Sequence, residues 1–155
     1  MTVTPSIRWA VRDEGTGHPV LLLHGFTGTS EAWDEHGDDL VARYRILVPS
    51  LPGHGGTDAP PEAMSVEATA GALASLLIAR DAAPAHVVGY SLGARVALRL
   101  AIAHPEVVDR LVLESPSAGL PTEAERAARR AGRSTPGSPP RDRRASRIGV
   151  LPLGR

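Results

Sequence analysis

The five residues Gly89-Tyr90-Ser91-Leu92-Gly93 constrain the fold more than any other part of the sequence. They form a G-x-S-x-G motif between a short apolar run, His86-Val87-Val88, and a helical pattern that begins at Leu92. A serine on a tight turn from a buried strand into a helix is held out at the carboxyl edge of a sheet, where it can act as a nucleophile. The N-terminus of that helix offers free N–H groups to a developing oxyanion. This context favours a nucleophilic Ser91 over a chance match to the motif.

A second motif lies earlier in the chain. Pro19-Val20-Leu21-Leu22-Leu23 is a continuous apolar run, as expected for a parallel strand covered on both faces. It leads directly into His24-Gly25-Phe26-Thr27-Gly28, and a His-Gly turn after such a strand supplies an oxyanion donor in α/β-hydrolases. Alone, the His-Gly pair would indicate only a tight turn. Together with the serine motif, it predicts an oxyanion hole formed by the backbone N–H groups of Phe26 and Leu92.

Two more motifs complete a resemblance to the α/β-hydrolases. Leu51-Pro52-Gly53-His54-Gly55 follows an expected strand, and Ala103-His104-Pro105-Glu106 precedes another. The resemblance runs from about Ile7 to about Gly132 and implies an α/β fold, with a mostly parallel sheet and flanking helices. Residues 1–132 would then be the N-terminal part of an α/β-hydrolase domain.

Alternating apolar runs and helical patterns predict the order of the elements, and this alternation is typical of a parallel sheet. Ser30 and Ser65 are the expected N-caps of the first two helices. The predicted strands are Ile7–Arg12, Pro19–Leu23, Tyr44–Val48, His86–Tyr90 and Val107–Leu113, and the predicted helices are Glu31–Ala42, Val66–Ala79 and Leu92–His104.

Residues 133–155 break with this pattern. They include six arginines, four prolines and one acidic residue, without apolar periodicity. Such a composition predicts a disordered Arg/Pro-rich tail. Two explanations remain open, a flexible basic tail and a frameshift or premature stop; we favour the second, because the break interrupts a family-like motif. Without further strands, Val107–Leu113 would be an exposed apolar edge and the chain would be poorly soluble.

The motifs resemble one branch in particular, the menaquinone-pathway enzyme 2-succinyl-6-hydroxy-2,4-cyclohexadiene-1-carboxylate synthase. The most specific match is the run from Glu114 to Arg130, which general esterases have no reason to share. The matching segments are Leu23-His24-Gly25-Phe26-Thr27-Gly28 with Trp33, Leu51-Pro52-Gly53-His54-Gly55-Gly56, Gly89-Tyr90-Ser91-Leu92-Gly93-Ala94-Arg95 and that run. Ser50 stands where the family usually has Asp, and Ala94 where it usually has Gly.

This resemblance implies a lyase that eliminates pyruvate through a Ser-centred triad and needs no metal or organic cofactor. It assigns Ser91 as the catalytic nucleophile and Arg95, Arg129 and Tyr90 as substrate-binding residues. Arg95 follows Ser91 by four residues, so both lie on one helix face, and a guanidinium there suits a carboxylate substrate. Two alternatives remain: a carboxylic-ester or C–C bond hydrolase of the same fold, and an inactive fragment.

The sequence offers no clear candidate for the acid or the base of the triad. In α/β-hydrolases the order along the chain is Ser, then Asp or Glu, then His, but no histidine follows His104 in this sequence. The earlier histidines fit turn or packing positions better. Glu114 lies at the carboxyl end of a strand, where some hydrolases carry the acid, although a cap or a salt bridge is the better interpretation.

Charge and composition limit the kinds of partner and cofactor that the protein can have. Seventeen basic and 17 acidic residues give a formal net charge of zero, which argues against a nucleic-acid surface. The absence of cysteine excludes disulfides and thiolate metal ligands. The N-terminus lacks a signal pattern and no apolar run is long enough to span a membrane. We therefore expect a cytoplasmic protein whose partner is a small-molecule carboxylate substrate, without nucleic-acid or membrane partners.

Overall fold

The computed structural model describes residues 7–116, Ala124, Ala127 and a strand at residues 148–152. Short 3-10 helices at Ser30–Trp33, Pro61–Ala63 and Pro105–Val107 join some of the elements. The strands are β1 (Val11–Glu14), β2 (Pro19–Leu23), β3 (Arg45–Pro49), β4 (Ala85–Tyr90), β5 (Val108–Glu114) and β6 (Ile148–Pro152); the helices are α1 (Asp34–Val41), α2 (Val66–Ala79) and α3 (Leu92–Ala103).

The described strands form one sheet in the order β1-β3-β2-β4-β5-β6. The four inner strands are parallel, and the outer strands β1 and β6 run antiparallel to their neighbours β3 and β5. The parallel strands alternate with helices, so their carboxyl ends share one edge of the sheet. That edge carries the turns after β2 and β4, which hold the His-Gly and serine motifs.

Apolar side chains cover both faces of the sheet, which is why the inner strands read as almost unbroken apolar runs. The larger core joins one face of the strands to α2 and α3 and includes Leu21, Leu47, Leu73, Leu100 and Leu111. A smaller core on the other face contains Val20, Leu22, Ile46 and Val48, with Trp33, Leu40 and Tyr44 packed against it. The α/β-hydrolase fold expected from the sequence is therefore confirmed. No helix in the described part of the chain is both long and apolar enough to cross a membrane.

Local signals predicted some elements at their full length. Helix α2 spans Val66–Ala79 as expected, and the Ser65 hydroxyl accepts a hydrogen bond from the Ala68 N–H at 3.0 Å. The first predicted helix differs, because its first turn is the 3-10 helix and α1 begins only at Asp34. Ser30 is not its N-cap; its N–H donates to the Ser50 hydroxyl at 3.1 Å.

The first strand also differs from the prediction, since β1 begins at Val11 rather than Ile7. Loop side chains take the backbone donors that precede it. The Arg8 N–H donates to the Asp58 carboxylate at 3.1 Å, and the Ala10 N–H donates to the Thr57 hydroxyl at 3.0 Å. These tertiary hydrogen bonds hold the segment beside the loop after β3, so it joins the sheet later than its alternating pattern suggests.

Strand β6 changes the expectation for the C-terminal segment. Residues 148–152 pair antiparallel with β5, from Glu114 opposite Ile148 to Arg110 opposite Pro152. The sequence predicted a disordered tail over residues 133–155, whereas five of these residues form a strand. The other residues of that segment lie outside the described part of the chain. The edge of β5 that we expected to be exposed is paired with β6. Without β6, the N–H and C=O groups along this edge would be unpaired, and such groups are a template for another strand.

Candidate active site

Ser91 occupies a strained turn between β4 and α3. Its backbone lies at φ 52° and ψ −106°, in a region that non-glycine residues rarely adopt. The Ser91 N–H donates to the carbonyl oxygen of Glu114 at the end of β5, at 3.0 Å. Its own carbonyl accepts the N–H of Arg95 at 3.2 Å, which closes the first turn of α3. These bonds on both sides hold the strained serine at the carboxyl edge of the sheet, as the motif predicted.

Two glycines allow the close approach of backbone that this turn requires. A Cβ on Gly89 would collide with the carbonyl oxygen of Gly93, and a Cβ on Gly93 would collide with that of Leu23 at the end of β2. Helix α3 therefore starts in direct contact with the backbone of β2 and β4. No side chain larger than hydrogen fits at either position.

The His-Gly turn lies directly beside the serine turn. A Cβ on Gly25 would lie 3.0 Å from Cδ1 of Tyr90 and 3.6 Å from Cβ of Ser91. Phe26 and Tyr90 are exposed at this edge, with 57% and 45% of their surfaces accessible. The fold thus brings the two sequence motifs together, although they are far apart along the chain.

The expected oxyanion donors belong to these two turns. Leu92 is the first residue of α3, so its N–H is one of those without a partner inside the helix. Phe26 follows Gly25 in the neighbouring turn, which the Gly28 N–H closes by donating to the Gly25 carbonyl at 3.0 Å. Their assignment as an oxyanion hole stays a prediction.

His24 has a structural role beneath this turn. Its ring is buried and bonded at both nitrogens: Nδ1 lies 2.7 Å from the Gly25 carbonyl oxygen, and Nε2 accepts the Leu51 N–H at 2.9 Å. Because Nε2 accepts a hydrogen bond, the ring is neutral, with its proton on Nδ1. Burial lowers the pKa of His24, which keeps the ring neutral. His24 therefore links the loops that follow β2 and β3.

Both ring nitrogens of His54 also lie within hydrogen-bond distance of backbone carbonyl groups. Its Nε2 lies 2.7 Å from the Phe26 carbonyl oxygen and its Nδ1 lies 3.1 Å from that of Pro52. His104 ends α3, with Nδ1 3.6 Å from the Glu106 carboxylate. Among the residues that the structure describes, no histidine is hydrogen-bonded to Ser91. The absence of a catalytic histidine, predicted from chain order, stays a prediction for the protein as a whole.

Arg95 lies one turn along α3 from Ser91 and is half-buried. Within the described residues, no carboxylate lies within ion-pair distance of its guanidinium, whereas its neighbour Arg99 lies 4.0 Å from Glu67. A structural ion pair, the other role expected of an arginine at this position, is thus not formed in this part of the chain. Arg129, the other predicted substrate-binding arginine, lies outside the described residues.

Some groups that build this site are not apparent from the sequence. The backbone carbonyl of Glu114, rather than its carboxylate, holds Ser91 in place. Ser50, the position that departs from the family pattern, is buried, and its hydroxyl accepts the Ser30 N–H. A Cβ on Gly55 would collide with the Ser50 hydroxyl. A side chain at residue 55 is therefore excluded, and the buried Ser50 contributes packing and hydrogen bonds beneath this loop.

Comparisons with known proteins agree with this geometry. The model of the alpha/beta hydrolase fold family matches residues 18–147. A proposed 2-succinyl-6-hydroxy-2,4-cyclohexadiene-1-carboxylate synthase of Bacillus subtilis is 37% identical over 81% of this chain and 47% of its own length. A pimeloyl-[acyl-carrier protein] methyl ester esterase of Aromatoleum aromaticum is 42% identical over 70% of this chain and 41% of its own.

A solved structure is similar to this chain over much of its length. A thermophilic esterase from Thermogutta terrifontis superposes with a TM-score of 0.76 and 32% identity, covering 84% of this chain and 48% of its own length. The chain spans less than half the length of each of these three proteins. Each of them therefore contains segments that have no counterpart in this chain.

Proposed function

The chain belongs to the α/β-hydrolase family, and we propose that it carries the nucleophile side of a lyase active site of menaquinone biosynthesis. The reaction eliminates pyruvate and forms 2-succinyl-6-hydroxy-2,4-cyclohexadiene-1-carboxylate. In this proposal Ser91 is the catalytic serine, the N–H groups of Phe26 and Leu92 form the oxyanion hole, and Arg95, Arg129 and Tyr90 bind substrate. The product class matches the name of the B. subtilis relative.

The observation that carries this proposal is the position of Arg95. Arg95 is half-buried one turn along α3 from Ser91, and no carboxylate among the described residues lies within ion-pair distance of its guanidinium. A planar guanidinium binds a carboxylate through two parallel hydrogen bonds, and the proposed substrate carries several carboxylates. A pocket built for a simple ester would more often be apolar at this position.

The chemistry follows from the turn that holds Ser91. A base must take the Ser91 proton, and the activated serine then removes a proton from the substrate, so that pyruvate leaves and the ring is desaturated. Negative charge develops on an enolate oxygen during this step. In this proposal the N–H groups of Leu92 and Phe26 stabilise this charge, and such pre-arranged donors usually supply a large part of the rate.

A second candidate, a carboxylic-ester hydrolase, is favoured by different observations. Two of the similar proteins above are named esterases. The exposed rings of Phe26 and Tyr90 beside Ser91 would also suit an apolar acyl group. In this candidate Ser91 attacks an ester carbonyl, and Arg95 has no part in the reaction.

One assay separates these candidates. The purified chain is given the carboxylated precursor, with pyruvate release followed by a coupled dehydrogenase, and in parallel an aryl acetate. Because no histidine in the described part of the chain is hydrogen-bonded to Ser91, we expect only the residual acceleration of about 10³- to 10⁴-fold that binding and an oxyanion hole provide. Added imidazole should raise this rate by standing in for the base. The variants are Ser91→Ala, Arg95→Ala and, as a matched control on the same helix, Arg99→Ala.

The lyase proposal expects pyruvate release that falls with Arg95→Ala and is unchanged with Arg99→Ala. Ester turnover that needs Ser91 but ignores Arg95 would instead identify a hydrolase. If neither substrate is turned over, with or without imidazole, the chain is an inactive fragment and the proposal fails for it.

A further inference from the structure

Two histidines and an aspartate, residue types that often bind metals, meet at the edge of the sheet opposite Ser91. His18 directly precedes β2, His86 is the second residue of β4, and Asp109 is the second residue of β5. The amino ends of these adjacent parallel strands lie side by side. His18 Nε2 is 3.5 Å from Asp109 Oδ2, and His86 Nδ1 is 3.3 Å from the same oxygen.

We propose that His18, His86 and Asp109 bind one divalent transition-metal ion of the zinc class, through Nε2, Nδ1 and Oδ2. Two imidazoles and a carboxylate form a ligand set that zinc accepts, with water in the remaining position. The three atoms lie within 4.8 Å of one another. Around a tetrahedral zinc ion with bonds of about 2.0–2.1 Å, ligand atoms are about 3.3 Å apart. Both nitrogens already have nearly this separation from Asp109 Oδ2.

A second observation points to a ligand at this cluster. The Nδ1 atom of His86 is buried and has no hydrogen-bond partner within the described part of the chain. Asp109 Oδ2 is within ion-pair distance of this nitrogen, but their relative orientation does not make a hydrogen bond. A buried polar atom without a partner costs free energy. A metal ion between the nitrogen and the oxygen would satisfy both.

Two neighbouring rings pack against His86 at this edge of the sheet. The rings of His18 and His86 are 4.0 Å apart between centroids, which disfavours two positive charges. The rings of Tyr44 and His86 form a T-shaped contact, with centroids 6.3 Å apart. A neutral imidazole offers a lone pair, whereas a protonated one offers none.

The site would act on stability rather than on the reaction. It ties together the amino ends of β2, β4 and β5, while Ser91 lies at their carboxyl ends. An ion that binds the folded chain and not the unfolded one raises the melting temperature in proportion to the logarithm of its concentration. The proposal therefore stands independently of the proposed lyase activity.

The experiment titrates Co²⁺ into the tag-free chain near neutral pH and follows its visible absorption, and then displaces Co²⁺ with Zn²⁺. We expect one ion per chain and the intense bands of a low-symmetry four-coordinate site. His18→Ala and Asp109→Asn should each weaken binding by more than about 10-fold, since the loss of even an outer partner of a ligand costs about 10- to 100-fold. Both side chains are partly exposed, so both variants should fold.

The matched control is His104→Ala, which removes the surface histidine beside Glu106 and should leave Co²⁺ affinity unchanged. Circular dichroism shows that each variant is folded, and Zn²⁺ should raise the melting temperature of wild type but not of Asp109→Asn. Wild-type affinity in both His18→Ala and Asp109→Asn would overturn the proposal. So would a lack of saturable Co²⁺ or Zn²⁺ binding by the folded wild-type chain, which would identify the cluster as a histidine–carboxylate ion pair only.

Discussion

Replacing His24 with phenylalanine tests the role that the structure gives this buried ring. Phenylalanine fills a similar volume but offers no acceptor to the Leu51 N–H and no donor to the Gly25 carbonyl. Leaving a buried N–H without a partner costs about 1–3 kcal/mol. We expect His24→Phe to lower the free energy of unfolding by this amount at neutral pH. For a chain of this length the melting temperature should fall by about 2–4 °C per kcal/mol.

The pH dependence of this loss gives a sharper test. Burial lowers the pKa of His24 in the folded chain, while the unfolded chain takes up the proton near the ordinary value of about 6.5. The unfolded state therefore binds more protons below this pH, and the contribution of His24 to stability falls as the pH drops. The difference in unfolding free energy between wild type and His24→Phe should be largest above pH ~7 and should shrink on acidification.

Urea unfolding of both proteins across this pH range, with a chelator present, measures that difference. His86, whose pKa burial also lowers, is present in both proteins, so its contribution cancels. A stability difference that stays constant or grows as the pH falls would refute the argument. It would mean that His24 is not held neutral by its two backbone partners.

Four further substitutions test other parts of the fold. Ser91→Gly should raise the free energy of unfolding by about 1 kcal/mol, because glycine adopts a positive φ without strain; a melting curve that is unchanged or lower contradicts the strained turn. Gly93→Ala should destabilise the chain by about 1–3 kcal/mol or more, because the added Cβ meets backbone atoms. Gly71→Ala should stabilise α2 by up to about 1 kcal/mol, because its added Cβ meets no atom closer than 3.8 Å. Equal effects of the two variants in denaturant unfolding would show that helix propensity decides both. Asp13→Asn should lower the free energy of unfolding by about 2 kcal/mol at neutral pH, because the hydrogen-bonded Arg45 lowers the pKa of Asp13. This stability difference should vanish only when the pH falls below that lowered pKa. A difference that is already absent near pH 6 would contradict the argument.

Local sequence patterns determined the elements that lie in the middle of the fold. The apolar run at Pro19–Leu23 and the capped helix at Val66–Ala79 form over the predicted residues. Both carry a strong local pattern: an unbroken apolar run in the strand, and a capping serine followed by apolar residues at helical spacing in the helix. The serine motif was equally local, because a glycine-flanked turn between a strand and a helix has few alternative conformations.

The outer elements depended on contacts that the sequence does not reveal. Strand β1 starts late because Asp58 and Thr57 bind the backbone before it. Strand β6 forms at Ile148–Pro152, in a segment whose composition predicted disorder, where the edge of β5 provides its partner. In both cases the deciding hydrogen bonds join residues that are far apart along the chain, and no local pattern encodes them.

The same division applies to function. The sequence by itself determined the family and the strained turn at Ser91, because these follow from short motifs whose geometry is nearly obligatory. The nucleophilic role of Ser91 stays a prediction from the same motif. Only the tertiary structure decided that Arg95 lacks a carboxylate partner in the described region and that His24 is a structural link. Only the order of the strands placed His18, His86 and Asp109 at one edge. Each of those residues is unremarkable in its own segment, and they meet because parallel strands bring their amino ends together.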